Sequence, residues 1–215
     1  KFEFRAPGSS QSIALPVTMF ASLWAWGVDQ LTRMIEARSV NGKDPMDVAL
    51  DAVKEAIKQG GDILFEGDAS TPEWHKEAKR RGLIEAETIP GKIDLLLKPE
   101  NKAMLEELGV YRAHELENLH AIRMESFATS LEVEAAVLYD MLWEGILPAL
   151  SKQLILEKKS LSALDGMEFP EGAVWKDYML GLGRAKAELI KDANRLHELK
   201  GKLAGMPVRK RADFL

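Results

Sequence analysis

Hydrophobic and polar positions alternate in two different rhythms along this chain, and the first is the shortest. In KFEFR, Phe2 and Phe4 fall on one face while Lys1, Glu3 and Arg5 share the other, the two-residue period of a half-buried strand. APGSS then reads as a turn, with Ser9, Ser10 or Ser12 available to cap a helix. From there to about Arg38 the period becomes helical: Met19, Leu23, Trp26, Gln30 and Met34 step by three and four. Phe20, Trp24, Val28 and Leu31 crowd the other side. So much apolar surface predicts a helix buried on more than one side, or one abutting a partner outside this chain. Pro16 falls within its first turn or kinks it.

NGKDP marks the next turn. Asp44 is placed to cap a second helix with Pro45 at its first position, and Val48, Ala52, Ala56 and Ile57 supply its apolar stripe up to Gly60-Gly61. Residues 62–99 are broken into short pieces. Thr71-Pro72 opens one short helix, PEWHKEAKRRG, closed by Gly82, while DILFEGDAS, ETIPGKI and DLLLKP read as loops or short extended segments. A two-turn helix starts at Pro99 or Glu100 and ends at Gly109.

The longest periodic run begins at Arg112 and stays helical for more than forty residues. Met124, Ala128, Leu131, Ala135, Leu138, Leu142, Gly145 and Ala149 form a coiled-coil-like seam, with small residues that favour close approach of another helix. Pro148 removes the bond to the Glu144 carbonyl, so a bend is expected there. Glu132 and Glu134 read as solvated face residues. After the loop LSALDGMEFPEG, a second long helix runs from about Ala173 to Leu203 on a stripe of Leu182, Ala185, Leu189, Ala193, Leu196 and Leu203. The tail GMPVRKRADFL reads as irregular, with the basic run at 209–211 solvated. The expected fold is therefore mainly α, an antiparallel long-helix bundle preceded by a short N-terminal strand.

Composition narrows the chemistry. At 215 residues and 46% hydrophobic, the chain is long enough to bury a substantial core. There is no cysteine, which excludes disulfides, thiolate metal sites and a thiol nucleophile. With 34 acidic and 29 basic residues the net charge is -5, not the basic footprint of a nucleic-acid binder. The most apolar segment, IALPVTMFASLWAWGV, contains a proline and is too short to span a bilayer. No nucleic-acid or membrane partner is expected, and the reading is of a cytoplasmic protein.

Candidate chemistry is sparse. The four histidines, 75, 114, 120 and 197, have no ligand spacing, and GLGRAK at 181–186 lacks the glycine pattern of a nucleotide loop. What remains is the charged face of the opening strand. A carboxylate between two cations is either a satisfied surface ladder or one edge of an anionic-substrate or metal site.

The opening KFEFRAPGSSQSIALPVTMFASLWAWGVDQLTRMIE resembles the end of the catalytic domain in glutamine synthetases, where a basic–x–Glu–x–Arg strand leads into a long buried helix. The form KFEFR..GSSQS resembles the large type III branch. The stretch from ELGVYRAHELENLH, through LEVEA beginning at Leu131, to ILPAL at 146–150 resembles that branch's C-terminal helical extension. Residues 62–98 and 158–175 carry little of the likeness. The resemblance implies that residues 1–38 complete a truncated α/β catalytic domain and that 39–215 form the extension. It implies a glutamate–ammonia ligase that uses ATP with magnesium or manganese ions. Glu3 would then coordinate the metal beside the γ-phosphate, Arg5 would hold the glutamate substrate and the transferred phosphoryl group as a catalytic residue, and Lys1 would face the nucleotide phosphates.

One glutamate and two cations cannot assemble a multi-metal site. The chain alone is therefore expected to be a catalytically inactive fragment that binds no cofactor. Its expected partners are an upstream catalytic domain, a ring oligomer of the parent and, by way of exposed Leu23, Trp24 and Trp26, itself. Two other readings use the same residues. A free-standing helical protein-interaction module explains the helices and leaves the opening motif a coincidence, and an independent metal-dependent hydrolase lacks the carboxylate–histidine cluster it would need.

Overall fold

The computed structural model describes residues 12–39, 42–68, 71–83, 86, 88–164, 166 and 172–214. The expected strand at 1–5 lies outside the described residues, as do Ser9 and Ser10. Among the described residues the regular structure is entirely helical. They divide between two compact units, residues 1–120 and 121–215.

In the first unit, helix α1 (Ala14–Arg38) is entered through Ser12, whose hydroxyl accepts from the Ala14 amide at 3.2 Å, and Pro16 sits in its first turn. Helix α2 (Pro45–Gln59) is capped by Asp44, which accepts from the Met46 amide at 2.8 Å with Pro45 at the first position. Its Val48 and Ala52 are buried, but Ile57 faces away and is exposed. Helix α3 (Pro72–Arg80) is capped by Thr71 through the Trp74 amide, 3.3 Å. It ends at Gly82, where a φ of 74° lets the Leu83 amide reach back to the Ala78 carbonyl at 2.9 Å.

The expectation of loops or extended segments after Gly82 is overturned in part. IPGKID forms helix α4 (Ile89–Asp94), because Thr88 accepts from the Gly91 amide at 3.1 Å and Pro90 is buried in the first turn. A 3-10 turn, Leu95–Leu97, follows directly, and another, Gly61–Ile63, leads into DILFEGDAS. Helix α5 (Pro99–Glu107) then brings in Leu105, which with Leu116 of the next helix is among the most completely buried large side chains.

Helix α6 (Ala113–Asp140) continues through a π-helical segment, Met141–Ile146, into α7 (Leu147–Ala163). The interruption expected near Pro148 therefore takes the form of a π-turn: the Leu147 amide bonds to the Leu142 carbonyl, five residues back. That turn corrects the seam. Met124, Ala128 and Leu142 are buried as the spacing predicts, but Leu138, Gly145 and Ala149 are exposed, and Leu147 is buried instead. A five-residue step places Leu147 on the face of Leu142, so the extra residue moves the stripe off 145 and 149.

Helix α8 (Gly172–Leu203) buries Ala193 and Leu203. As α8 advances, its partners recede along α7 and α6: Trp175 Nε1 donates to Glu157 Oε2 at 2.5 Å, and Lys186 Nζ to Ser151 Oγ at 2.6 Å. Further on, His197 lies 5.3 Å, ring to ring, from Tyr139. The tail is not irregular. Gly205, at φ 79°, ends the α8 turn, and Val208–Phe214 form helix α9 with Ala212 buried.

Candidate functional site

Lys1, Glu3 and Arg5, the residues that the sequence marks for chemistry, lie outside the described residues. Elsewhere, no group of three or more histidine, aspartate or glutamate side chains is brought together among the described residues. The histidines stay apart. His120 Nε2 donates to Asp94 Oδ1 at 2.9 Å, His197 lies against Tyr139, and His75 and His114 are exposed. A divalent metal or a nucleotide bound to one would need hard oxygen ligands converging on a point. The described side chains do not provide such a set.

What the first unit does present is apolar surface. Helix α1 is tied to α5 by Arg33, whose Nη2 lies 2.5 Å from Glu107 Oε1 while its Nε meets Asp29 at 2.8 Å. These two carboxylates hold the Arg33 guanidinium charged beyond its ordinary range, Glu107 contributing most. Fixed this way, α1 buries Ser22 and leaves Leu23, Trp24, Trp26 and Val28 exposed. Ser22 fits there because its hydroxyl is satisfied within the helix, donating to the Thr18 carbonyl at 2.8 Å. A groove of about 690 Å³ runs along this face, lined by Phe20, Trp24, Leu31 and Met34 of α1 and closed by Ala56 and Gln59 of α2. It holds no nucleophile paired with a base. Its chemistry is that of a binding surface for another apolar face.

The second unit has a polar centre that the sequence pattern missed. Arg211 Nη1 donates to Glu132 Oε1 at 2.7 Å, and the two side chains line a cavity of about 520 Å³ with Lys200, Leu203 and Met206. Lys200 Nζ stands 5.5 Å over the Tyr139 ring. Glu132 and the 209–211 run were both expected to be solvated; Arg209 and Lys210 are exposed, whereas Arg211 pairs with Glu132. The signal was present in the tail: Gly205 and Pro207 punctuate it, and Val208 and Ala212 are four apart on one helical face.

Comparison with known proteins gives this helical arrangement a family. The glutamine synthetase C-terminal domain model matches residues 49–162. The chain is 28% identical over 149 residues to a type-3 glutamine synthetase of Dictyostelium discoideum, a match covering 69% of this chain and 20% of that protein. It is 26% identical over 148 residues to a glutamine synthetase of Bacteroides fragilis (strain YCH46), covering 69% and 20%. For a glutamine synthetase of Butyrivibrio fibrisolvens the figures are 25% over 173 residues, 77% and 24%. The matched part of the chain thus spans about a fifth of the length of these curated relatives. The matched span runs from α2 to the end of α7, and through it the chain belongs to the glutamine synthetase C-terminal domain family.

Proposed function

We propose that this chain is the C-terminal part of an ATP-dependent glutamate–ammonia ligase of the type III kind and is inactive by itself. The family match over 49–162 carries this reading. In it, residues 1–38 complete the catalytic domain and 39–215 form the helical extension, an antiparallel long-helix bundle supported by the receding order of partners along α8. Glu3 coordinates a magnesium or manganese ion, Lys1 faces the ATP phosphates, and Arg5 holds the glutamate and the transferred phosphoryl group. A carboxylate and two cations on one strand face suit phosphoryl transfer, which needs hard oxygen ligands for the metal and positive charge around the migrating group. The exposed aromatic face of α1 fits a helix that the rest of a catalytic domain covers. The parent acts in the cytoplasm as a ring oligomer. No described helix is long and apolar enough to cross a membrane.

The test is an assay of ATP- and ammonia-dependent glutamine formation by the full-length gene product beside the 215-residue chain. Turnover by the long product only, abolished by Glu3→Ala or Arg5→Ala within it, is the expected result. Glutamine formation by the short chain, or full activity in the long product after both substitutions, overturns the reading.

A further inference from the structure

Helix α2 is apolar on two opposite sides. Val48 and Ala52, 4% and 0% exposed, face inward. At 3.6 residues per turn, Met46, Leu50, Val53 and Ile57 line up on the far side, and there they are 65%, 49%, 42% and 61% exposed. A solvent face would normally be polar; here it carries the spacing of a helix–helix seam, four then three then four.

Charge on one flank of that seam says what fits it. Asp47 and Asp51 lie in the first half of the helix, Lys54 and Lys58 in the second. Asp51 is 3.4 Å from Lys54, while Asp47 and Lys58 make no ion pair among the described residues. A helix that is acidic at one end and basic at the other is complementary to itself reversed. Turned about a two-fold axis between positions 50 and 53, a second α2 sets Leu50 on Val53, Met46 on Ile57, and Asp47 across from Lys54, with each contact made twice. Aligned in parallel about a two-fold axis, the charged flank of one helix would instead meet the Ala49 and Ala56 flank of the other and find no charged partner.

We propose that the exposed face of α2 is a two-fold docking surface for a second copy of this chain, paired antiparallel through Met46, Leu50, Val53 and Ile57. The contact specifies the self-association that the ligase reading includes. It is measured by mass and cross-linking rather than by turnover, so the two readings fail separately. Four apolar side chains from each copy make a small interface, so the pairing is concentration-dependent.

The chain has no cysteine, so introduced thiols report position without background. In a mixture of Met46→Cys and Ile57→Cys chains, a 46–57 disulfide is expected between copies, with little from either variant alone. Sedimentation over a concentration series should approach twice the 24.0 kDa chain mass. Leu50→Glu should return it to the single-chain mass. Asp47→Lys should weaken pairing about tenfold, and Asp47→Lys with Lys54→Asp should restore it. This charge pair lies on an exposed flank, so its result stands even if Leu50→Glu disturbs folding. A single-chain mass at every concentration, self-cross-linking of Met46→Cys alone, or charge reversal without effect overturns the proposal. So does a dimer indifferent to Leu50→Glu in a folded protein.

Discussion

Arg211, four residues from the last position, donates its Nη1 hydrogen to Glu132 Oε1 at 2.7 Å across 79 residues of sequence. This bond ties the short terminal helix α9 to the middle of α6, beside the buried Ala212. Both side chains are mostly withdrawn from solvent, 21% and 32% exposed, so the pair is less screened than a surface bridge.

Breaking the pair from its two ends should not cost the same. The Arg211 Nε is buried with no hydrogen-bond partner, so Glu132→Ala strands a largely buried cation that is already incompletely satisfied. Arg211→Met removes that cation, keeps its apolar stem, and leaves Glu132 open to water. Urea denaturation should show Glu132→Ala destabilising the protein by about 2 kcal/mol and Arg211→Met by about 1 kcal/mol. An equal or reversed order would mean that α9 is held by Ala212 and its neighbours rather than by charge.

Glu77 should give the clearest pH signature in the first unit. It receives Arg80 through Nε at 2.7 Å and Nη2 at 2.6 Å, and Arg81 Nε at 2.7 Å. These bonds, Arg80's first, pull its carboxyl from the ordinary 4.5 down to about 2. Because the folded value lies below the unfolded one, the contribution is full above the unfolded value and drains away as pH falls towards the folded one. An NMR titration should place the Glu77 midpoint near 2. In Glu77→Gln, the fall in stability between about pH 5 and pH 2 should be shallower than in the parent. Identical slopes would show the three-way arrangement to be energetically silent.

Helix caps are a simpler matter. Asp44→Ala removes the acceptor for the Met46 amide at 2.8 Å and should cost about 1 kcal/mol, whereas Asp44→Asn should retain most of the stability. Chemical denaturation of the two variants side by side checks it.

Those caps also show what the sequence made legible. Asp44-Pro45, Thr71-Pro72, Gly82 and Gly109 act through atoms a few residues away, so local spelling was enough to place the starts and ends of three helices. Helix α4 was missed because Ile89, Pro90 and Gly91 are weak helix formers, and its existence depends on the Thr88 cap and on burying Pro90. Ile57 stands next to Ala56 in the expected inner stripe of α2, but at 3.6 residues per turn it falls with Met46, Leu50 and Val53 on the side opposite Val48. Glu132 and Arg211 are each unremarkable polar residues on a helix. Their pairing joins α9 to α6 across 79 residues of sequence, a separation over which no local pattern acts. The family, by contrast, was legible in short stretches such as LEVEA and ILPAL, within the 49–162 match. The residues expected to do chemistry, Lys1, Glu3 and Arg5, rest on the sequence alone.

The π-segment offers the sharpest test of how the long helix is built. A seam that runs Met124, Ala128, Leu131, Ala135 with steps of four and three resumes after Leu142 with a step of five to Leu147. One residue in 141–146 is therefore surplus to α-helical spacing. Pro148, which has no amide hydrogen to donate, stabilises the i–5 bonding just before it. Deleting Gly145, which has open space around it, should let the turn close as ordinary α-helix with Leu142 and Leu147 four apart on the same face. Deleting Thr129 instead rotates Leu131, Ala135, Leu142 and Leu147 together off the buried side of α6. The Gly145 deletion should stay within about 1 kcal/mol of the parent, while the Thr129 deletion should lose the burial of Leu142 and Leu147, about 4 kcal/mol. Equal losses would mean that the π-turn is required in its own right, for a shape that a regular helix cannot supply.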